Sequence, residues 1–346
     1  MKACVLHNIG DLRVEDVAVP IPKKGEVLLK IKFSGVCGSD IARVFSKGTY
    51  KFPTIPGHEF AGEIIDAAGT ENSGLIGKRA AVFPLIPCMK CSACQIGEYA
   101  QCSDYNYFGS RCDGGFAEYI AVPVWNLVMV PDRLSCEEAA MAEPAAVAIH
   151  ALRQSGIEIG DNIVIFGAGP IGLMIGQWAK AWGADKVLLV DIDRNKLDFA
   201  KTLGFKYVWN SSSGDAVEWI KDNTEGRGAD IALEGAGVSS TLEQCFKCTR
   251  PFGRVVAMGN PAGEMKLSQK AYWELLRKQL KIMGTWNSNF VSLPKNDWAL
   301  ALRSMEAGKL NVKPFITHKV SLNQANEVLT MMHNRTEFFN KVMFIM

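Results

Sequence analysis

The sequence has no long apolar run and no dense cluster of positive charge. It never reaches the 18 consecutive apolar residues that predict a membrane-spanning helix. Its 38 Lys and Arg are nearly balanced by 36 Asp and Glu, and it has no basic stretch of the kind that binds nucleic acid. The first ten residues, which include Lys2, His7 and Asn8, do not have the form of a secretion signal. We therefore expect a cytoplasmic protein that binds neither nucleic acid nor membrane.

Internal repeats and low-complexity segments are also missing. The 346 residues are 48% hydrophobic and include 32 Gly, a length and composition that predict about two domains. The sequence has ten Cys and no secretion signal, so we expect thiols and bound metal, because disulfides rarely persist in a reducing cytosol.

Four of these cysteines lie close together. Cys88, Cys91 and Cys94 are spaced C-x2-C-x2-C, and Cys102 follows after seven residues. This spacing predicts four thiolates around one zinc, in a structural site that leaves no coordination position for a substrate. Four free thiols or two disulfides are the alternatives.

The N-terminal part of the sequence has a β-like pattern. Residues 27–33, 62–67 and 79–83 are strand candidates bounded by Gly and Pro. Many short strands separated by turns favour a β-rich, barrel-like domain.

From about residue 135 the pattern changes. Ser135-x-x-Glu138 has the form of a capping box, and candidate strands then alternate with candidate helices, which predicts a doubly wound parallel sheet of the Rossmann type. The whole chain is therefore expected to be α/β. We expect a catalytic domain from residues 1–152 and 287–346, with a dinucleotide-binding domain at 153–286.

A glycine-rich turn follows an apolar strand at residues 161–166 and precedes a helical pattern. Gly167 suits the tight turn, Gly169 the approach of a pyrophosphate and Gly172 the packing of helix on sheet. The N–H groups at the start of the helix favour the phosphate charge. A glycine-rich turn of another α/β protein is the alternative.

Asp191 ends the next predicted strand, where its carboxylate would accept hydrogen bonds from ribose hydroxyls and repel a 2′-phosphate. NAD is therefore favoured over NADP, although Arg194 lies nearby. The predicted cofactor contacts are Gly167, Gly169, Pro170, Ile171, Gly172, Asp191 and Arg194.

Cys37, His58 and Glu143 form a looser set. Each alone reads as an ordinary residue: a small core Cys, a hydrogen-bonded loop His and a Glu-Pro pair that begins a helix. Together they offer soft and hard ligands for one zinc with an exchangeable position, as catalytic zinc requires.

Several independent motifs carry a resemblance along essentially the whole chain. The segment Gly-His-Glu-Phe-x-Gly at 57–62, the cysteines at 88–102, the glycine-rich turn and Asp191 resemble the zinc-dependent medium-chain dehydrogenase family. Residues 37–40, Glu143-Pro144 and residues 109–119 resemble its polyol branch.

The resemblance implies roles for individual residues. Cys37, His58 and Glu143 would ligate the catalytic zinc, with Glu59 as a fourth or alternating ligand. Ser39 would bond the reacting hydroxyl and pass on its proton, and Asp40 would hold the His58 imidazole. Alcohol dehydrogenases of the family often have Cys where this chain has Glu143. Two zinc ions per chain are expected, one catalytic and one structural.

The activity implied is the NAD-dependent oxidation of a secondary hydroxyl of a polyol phosphate, such as galactitol 1-phosphate to tagatose 6-phosphate. The zinc would act as a Lewis acid. The resemblance also implies that the protein forms a homodimer or homotetramer. The predicted substrate contacts are Arg43, Lys47, Arg111 and Asn287. For each of them, an ordinary structural or solvated role is the alternative.

Three alternatives stay open from the sequence. The substrate could be an unphosphorylated polyol such as sorbitol, or threonine. The chain could instead be a non-catalytic zinc-ribbon binding protein, or a zinc-free relative that has lost catalysis.

Overall fold

The computed structural model of the protein describes residues 1–261 and 263–346. Its strands, numbered in chain order, are β1 Lys2–Asn8, β2 Asp11–Asp16, β3 Glu26–Val36, β4 Glu59–Ala67, β5 Arg79–Val82, β6 Leu85–Ile86, β7 Asn106–Tyr107, β8 Tyr119–Pro123, β9 Leu127–Met129, β10 Asn162–Phe166, β11 Lys186–Asp191, β12 Tyr207–Asn210, β13 Ala229–Glu234, β14 Thr249–Ala257, β15 Lys281–Gly284, β16 Ile316–Ser321 and β17 Lys341–Ile345. Its α-helices are α1 Gly38–Ala42, α2 Ser92–Gln95, α3 Cys136–Ala139, α4 Ala142–Gln154, α5 Pro170–Trp182, α6 Arg194–Thr202, α7 Ala216–Asn223, α8 Ser239–Cys248, α9 Gln269–Arg277, α10 Asp297–Glu306 and α11 Ala325–Asn334.

The chain divides into two compact units. Unit 1 comprises Met1–Ala146 and Asn289–Met346, and unit 2 is Val147–Ser288. These boundaries differ by a few residues from those expected at 152/153 and 286/287. The first one falls inside α4, where the helical pattern of the sequence continues without interruption.

Unit 1 is organised around the long strand β3. The sheet order is β16-β17-β3-β4-β5-β9, and β8 also pairs with β3. All these pairs are antiparallel except β16 with β17. The register places Gly35 opposite Glu59 and Val36 opposite Val342. The end of β3 therefore meets the starts of β4 and β17, and this brings distant parts of the chain together.

Unit 2 is a six-stranded parallel sheet with strand order β12-β11-β10-β13-β14-β15. This is the Rossmann order, in which the first strand of the unit, here β10, lies inside the sheet and the order reverses beside it. The interior strand β10 is buried throughout, as expected for a parallel sheet.

The expected α/β class, with a β-rich part and a doubly wound parallel sheet, is confirmed. Closure of the unit 1 sheet into a barrel stays a prediction. Ser135 and Glu138 form the predicted capping box at the start of α3. Helix α5 begins at Pro170, inside the glycine-rich turn, because proline fits the first turn of a helix.

The sequence analysis did not identify α9, β15, β16 and α11. Only Ala271 is buried in α9, and no residue of β15 is. Within the described part of the chain, none of the helices combines the length and apolarity needed to cross a membrane.

Candidate metal and cofactor sites

The four clustered cysteines lie in one lobe of unit 1. Cys91 is the N-cap of α2, Cys94 lies within that helix, and Cys102 follows a short 3-10 turn. Their four Sγ atoms all lie within 4.8 Å of one another. The Sγ separations are 3.5 Å for Cys91–Cys94, 3.9 Å for Cys91–Cys102 and 4.0 Å for Cys88–Cys94.

These separations fit a zinc ion. Four sulfurs about 2.3 Å from one zinc in a tetrahedron lie about 3.8 Å apart, whereas a disulfide requires about 2.05 Å. All four cysteines are free thiols. Backbone N–H groups of Ser103 and Cys94 lower the pKa of Cys91 to about 5, whereas burial raises the pKa of Cys94 to about 12. A bound cation would favour the thiolate of both.

A second group of potential ligands lies where β3, β4 and β17 meet. Cys37 directly follows β3 and caps α1, while His58 directly precedes β4 and Glu59 begins it. One ligand atom from each of the three lies within 4.8 Å of the others. His58 is 3% exposed and Glu59 is 1% exposed. A thiolate, an imidazole and a carboxylate at this spacing fit a zinc ion.

Asp40 contacts the Nδ1 atom of the His58 imidazole. Its Oδ1 lies 3.3 Å from His58 Nδ1, and its Oδ2 accepts a hydrogen bond from the Cys37 N–H at 3.0 Å. Burial alone would raise the pKa of Asp40, but His58 and Arg43 outweigh it and lower the pKa to about 2. Because Nδ1 faces this carboxylate, Nε2 is the atom of His58 available to a metal.

Arg43 belongs to the same network. Its Nη1 donates to Ser39 Oγ at 3.0 Å and to Asp40 Oδ1 at 2.8 Å, and it lies 3.4 Å from His58 Nδ1. The structure thus brings Arg43, expected as a substrate contact, into the interior of the site. Lys47, by contrast, is exposed. Asn287 lies in unit 2, with a positive φ of 58°.

Glu143 lies in the first turn of α4 and is buried. Burial, and then the negative charge of Glu59, raise its pKa to about 7 against the opposing effect of His58. Its carboxylate therefore interacts electrostatically with the group, although its ligand atoms are outside the set within 4.8 Å. A bound cation would stabilise the charged form of Glu143.

Two residues of this site were missed by sequence reasoning. The buried Lys341, at the start of β17, donates from Nζ to both carboxylate oxygens of Glu59, at 2.9 and 2.6 Å, and to the Val36 carbonyl at 3.1 Å. The signal was a lysine at the start of an apolar strand, since a buried lysine needs a carboxylate partner. The Tyr107 ring lies 5.8 Å from the His58 ring, and nothing in its local sequence indicated this position.

The glycine-rich turn of unit 2 has the geometry that its motif predicts. Gly167 has a φ of 113°, Gly169 is the N-cap of α5, and Pro170 and Ile171 begin the helix. A Cβ on Gly172 would collide with the Gly167 carbonyl oxygen. No side chain caps α5, so its first N–H groups are available to a phosphate.

Asp191 ties this turn to the following strand. Its carboxylate accepts hydrogen bonds from the Ala168 N–H at 2.8 Å and the Asp193 N–H at 2.9 Å. A carboxylate has about four lone-pair sites, which leaves capacity for ribose hydroxyls. Next to it, Arg194, Lys201 and Asn210 border a cavity of about 300 Å³.

The buried Glu59–Lys341 pair generates a stability prediction. Replacing Lys341 by Met leaves a buried carboxylate without its partner, and we expect a loss of about 3–5 kcal/mol in the free energy of unfolding. Lys32→Met is the control, since Lys32 of β3 pairs with Glu63 of β4, the strand that also carries Glu59, and both side chains are more than a third exposed. It should cost about 0–1 kcal/mol.

Urea unfolding of both variants measures the difference. The double variant Lys341→Met/Glu59→Gln should recover part of the loss, because the uncompensated charge is removed. Equal stabilities for Lys341→Met and Lys32→Met would contradict the role given to the pair.

Comparisons with known proteins agree with this geometry. Residues 23–132 match the family model of the alcohol dehydrogenase GroES-like domain, and residues 170–307 that of the zinc-binding dehydrogenases. The chain is 37% identical over 323 residues to galactitol 1-phosphate 5-dehydrogenase of Escherichia coli K12, covering 93% of each chain. It is 32% identical to sorbitol dehydrogenase of Bacillus subtilis 168, covering 100% of this chain and 96% of the relative.

Solved structures give the same result. The structure of galactitol-1-phosphate dehydrogenase from Escherichia coli matches with a TM-score of 0.94 and 34% identity over the full length of both chains. A zinc-binding dehydrogenase from Sinorhizobium meliloti 1021, bound to NADP, matches with a TM-score of 0.91 and 29% identity, over 100% of this chain and 99% of that one. The chain therefore belongs to the family of zinc-dependent medium-chain alcohol and polyol dehydrogenases, and is an oxidoreductase that uses zinc and a nicotinamide dinucleotide.

Proposed function

We propose that this enzyme oxidises a secondary hydroxyl of a polyol phosphate, with galactitol 1-phosphate converted to tagatose 6-phosphate. The observation that carries the chemistry is the cluster of Cys37, His58 and Glu59 within 4.8 Å. The similarity to galactitol 1-phosphate 5-dehydrogenase supports this substrate class. Sorbitol dehydrogenase is also similar over the whole chain, so an unphosphorylated polyol is the second candidate.

We assign the catalytic zinc to Cys37, His58 and Glu143, with Glu59 as the fourth or alternating ligand. A zinc ion there supplies a Lewis acid that lowers the pKa of the substrate hydroxyl. Asp40 keeps the His58 imidazole in one orientation through Nδ1. Lys341 balances the charge of Glu59 and holds its carboxylate. Cys88, Cys91, Cys94 and Cys102 would hold the structural zinc.

We assign to Ser39 the transfer of the proton from the substrate hydroxyl. Its Oγ accepts a hydrogen bond from Arg43, so its own O–H can be directed elsewhere. The Arg43 guanidinium is always protonated and cannot take up a further proton. Arg43 thus orients Ser39, and the proton leaves Ser39 by a route other than Arg43.

The glycine-rich turn and Asp191 would hold NAD, which would supply the hydride acceptor for the oxidation. We assign its pyrophosphate to the N-terminus of α5 and its ribose to Asp191, whose carboxylate favours NAD over NADP.

A homodimer or homotetramer and a cytoplasmic location stay predictions. The dimer is supported by the edge strand β15 and the neighbouring helix α9, which carry exposed apolar side chains including Ile282, Trp273 and Leu276. An exposed edge strand can pair with a second copy of the chain, and the mass of the protein in solution tests this.

The zinc assignment predicts different outcomes for the two cysteine sites. Cys37→Ala should abolish turnover, because the thiolate ligand is lost, while the protein still binds NAD. Cys94→Ser should chiefly lower the thermal stability, because the metal at a closed site contributes folding energy. Zinc content, NADH binding by fluorescence and thermal unfolding separate these outcomes. Full activity in a correctly folded Cys37→Ala variant without its zinc would rule out the scheme.

The substrate assignment is tested by comparing kcat/KM with NAD for galactitol 1-phosphate, sorbitol and threonine. We expect galactitol 1-phosphate to have the highest value, because it offers both the polyol hydroxyl and the anionic group. A higher value for sorbitol or threonine would reject the phosphorylated substrate and leave the dehydrogenase chemistry intact.

A further inference from the structure

The loop that carries Arg111 is fixed directly to the backbone that precedes His58. The Gly114 N–H donates to the Ile55 carbonyl at 2.7 Å, and the Gly115 N–H donates to the Gly57 carbonyl at 2.8 Å. A Cβ on Gly109 or Gly114 would collide with the backbone of Gly57. Only glycine permits this approach, so the loop holds Arg111 at a defined position relative to His58.

Two tyrosine rings contact the Arg111 guanidinium. Its Cζ lies 4.1 Å from the centroid of Tyr50 and 4.4 Å from that of Tyr105. The Tyr50 N–H also donates to the Ser110 carbonyl at 3.1 Å, which joins the two segments. Cation–π contacts of this kind restrict the side chain to few conformations. The guanidinium is thus pre-positioned.

Among the described residues, nevertheless, the Arg111 side chain has no hydrogen-bond acceptor. Its Nε is buried without a hydrogen-bond partner, and across residues 1–261 and 263–346 its side chain forms no ion pair or hydrogen bond. Arg43 differs, because its Nη1 already donates to Ser39 and Asp40. A buried N–H left unpaired is costly, and with no acceptor among the described residues the Arg111 guanidinium is available to bind an anion.

A series of aromatic contacts connects Arg111 with His58. Arg111 contacts the Tyr105 ring, whose centroid lies 6.5 Å from that of Tyr107. The Tyr107 centroid lies 5.8 Å from that of the His58 ring. This series of ring contacts joins Arg111 to His58 within unit 1. A planar guanidinium binds phosphate through two parallel N–H···O bonds, which a lysine cannot reproduce.

We propose that Arg111, held by Tyr50 and Tyr105, is the residue that recognises the substrate phosphate and sets the preference for phosphorylated over free polyols. This inference rests on the proposed function, since it assigns the phosphate of that substrate to one side chain. Lys47, which is exposed, and Arg43, which is already paired, are not needed for this role.

The test compares galactitol 1-phosphate with galactitol at saturating NAD, in the wild type and in Arg111→Gln and Arg111→Lys. The ratio of the two kcat/KM values should fall by about 10- to 100-fold in Arg111→Gln, the range for a lost charge-assisted hydrogen bond. The loss should appear mainly in KM for the phosphorylated substrate. Arg111→Lys should recover part of it, because it restores the charge without the fork. Arg133→Gln, which removes an exposed arginine of the same unit, should leave the ratio unchanged.

If kcat/KM in Arg111→Gln falls equally for both substrates, or does not fall at all, the ratio of the two values is unchanged. Either result would overturn the proposal and leave Arg111 with a purely structural role. Inorganic phosphate provides a second measurement that does not depend on the substrate assignment. It should inhibit galactitol oxidation competitively in the wild type and much less in Arg111→Gln. If the wild type shows no preference for the phosphorylated polyol, the proposed function fails, and the phosphate inhibition alone decides the role of Arg111. Equal inhibition of the wild type and Arg111→Gln rejects that role.

Discussion

The rest of the candidate site depends on the meeting of three strand ends in unit 1. The register of β3 with β4 and β17 fixes where Cys37, His58, Glu59 and Lys341 lie. Such a concentration of charge is tolerated in a buried place only when opposite charges are paired and hydrogen-bonded. The Glu59–Lys341 pair, in which both side chains are almost fully buried, meets this condition. Gly35 contributes as well, since a Cβ there would collide with the Glu59 carboxylate.

A second layer of residues orders this centre without contributing metal ligands. Asp40 holds the Cys37 N–H and faces His58 Nδ1, and Arg43 links Asp40 to Ser39. His58 and Arg43 lower the pKa of Asp40 to about 2 against the effect of burial, which favours the charged carboxylate. Residues of this kind orient ligands and tune their basicity. In this chain they come from one short stretch, α1 and the turn after it, so a change there would affect several contacts at once.

Much of this arrangement could be predicted from the sequence, because motifs of fixed spacing carry local geometry. The cysteines at 88–102 and the turn at 167–172 are such cases, and both have the expected shape. The position of Lys341 could not be predicted, since its partner Glu59 lies 282 residues away and only the strand register brings the two together. Tyr107 was missed for the same reason. Arg43 and Arg111 looked equivalent in the sequence, and they differ only in which acceptors the fold places beside them.

The central claim is that a zinc ion is bound where β3, β4 and β17 meet, separately from the four-cysteine site. Crystals of the full-length protein, measured on both sides of the zinc absorption edge, test this directly. We predict two anomalous peaks per chain, one among the four clustered Sγ atoms and one within bonding distance of Cys37 Sγ and His58 Nε2. A single peak, confined to the four-cysteine site in zinc-supplemented crystals, would contradict the account.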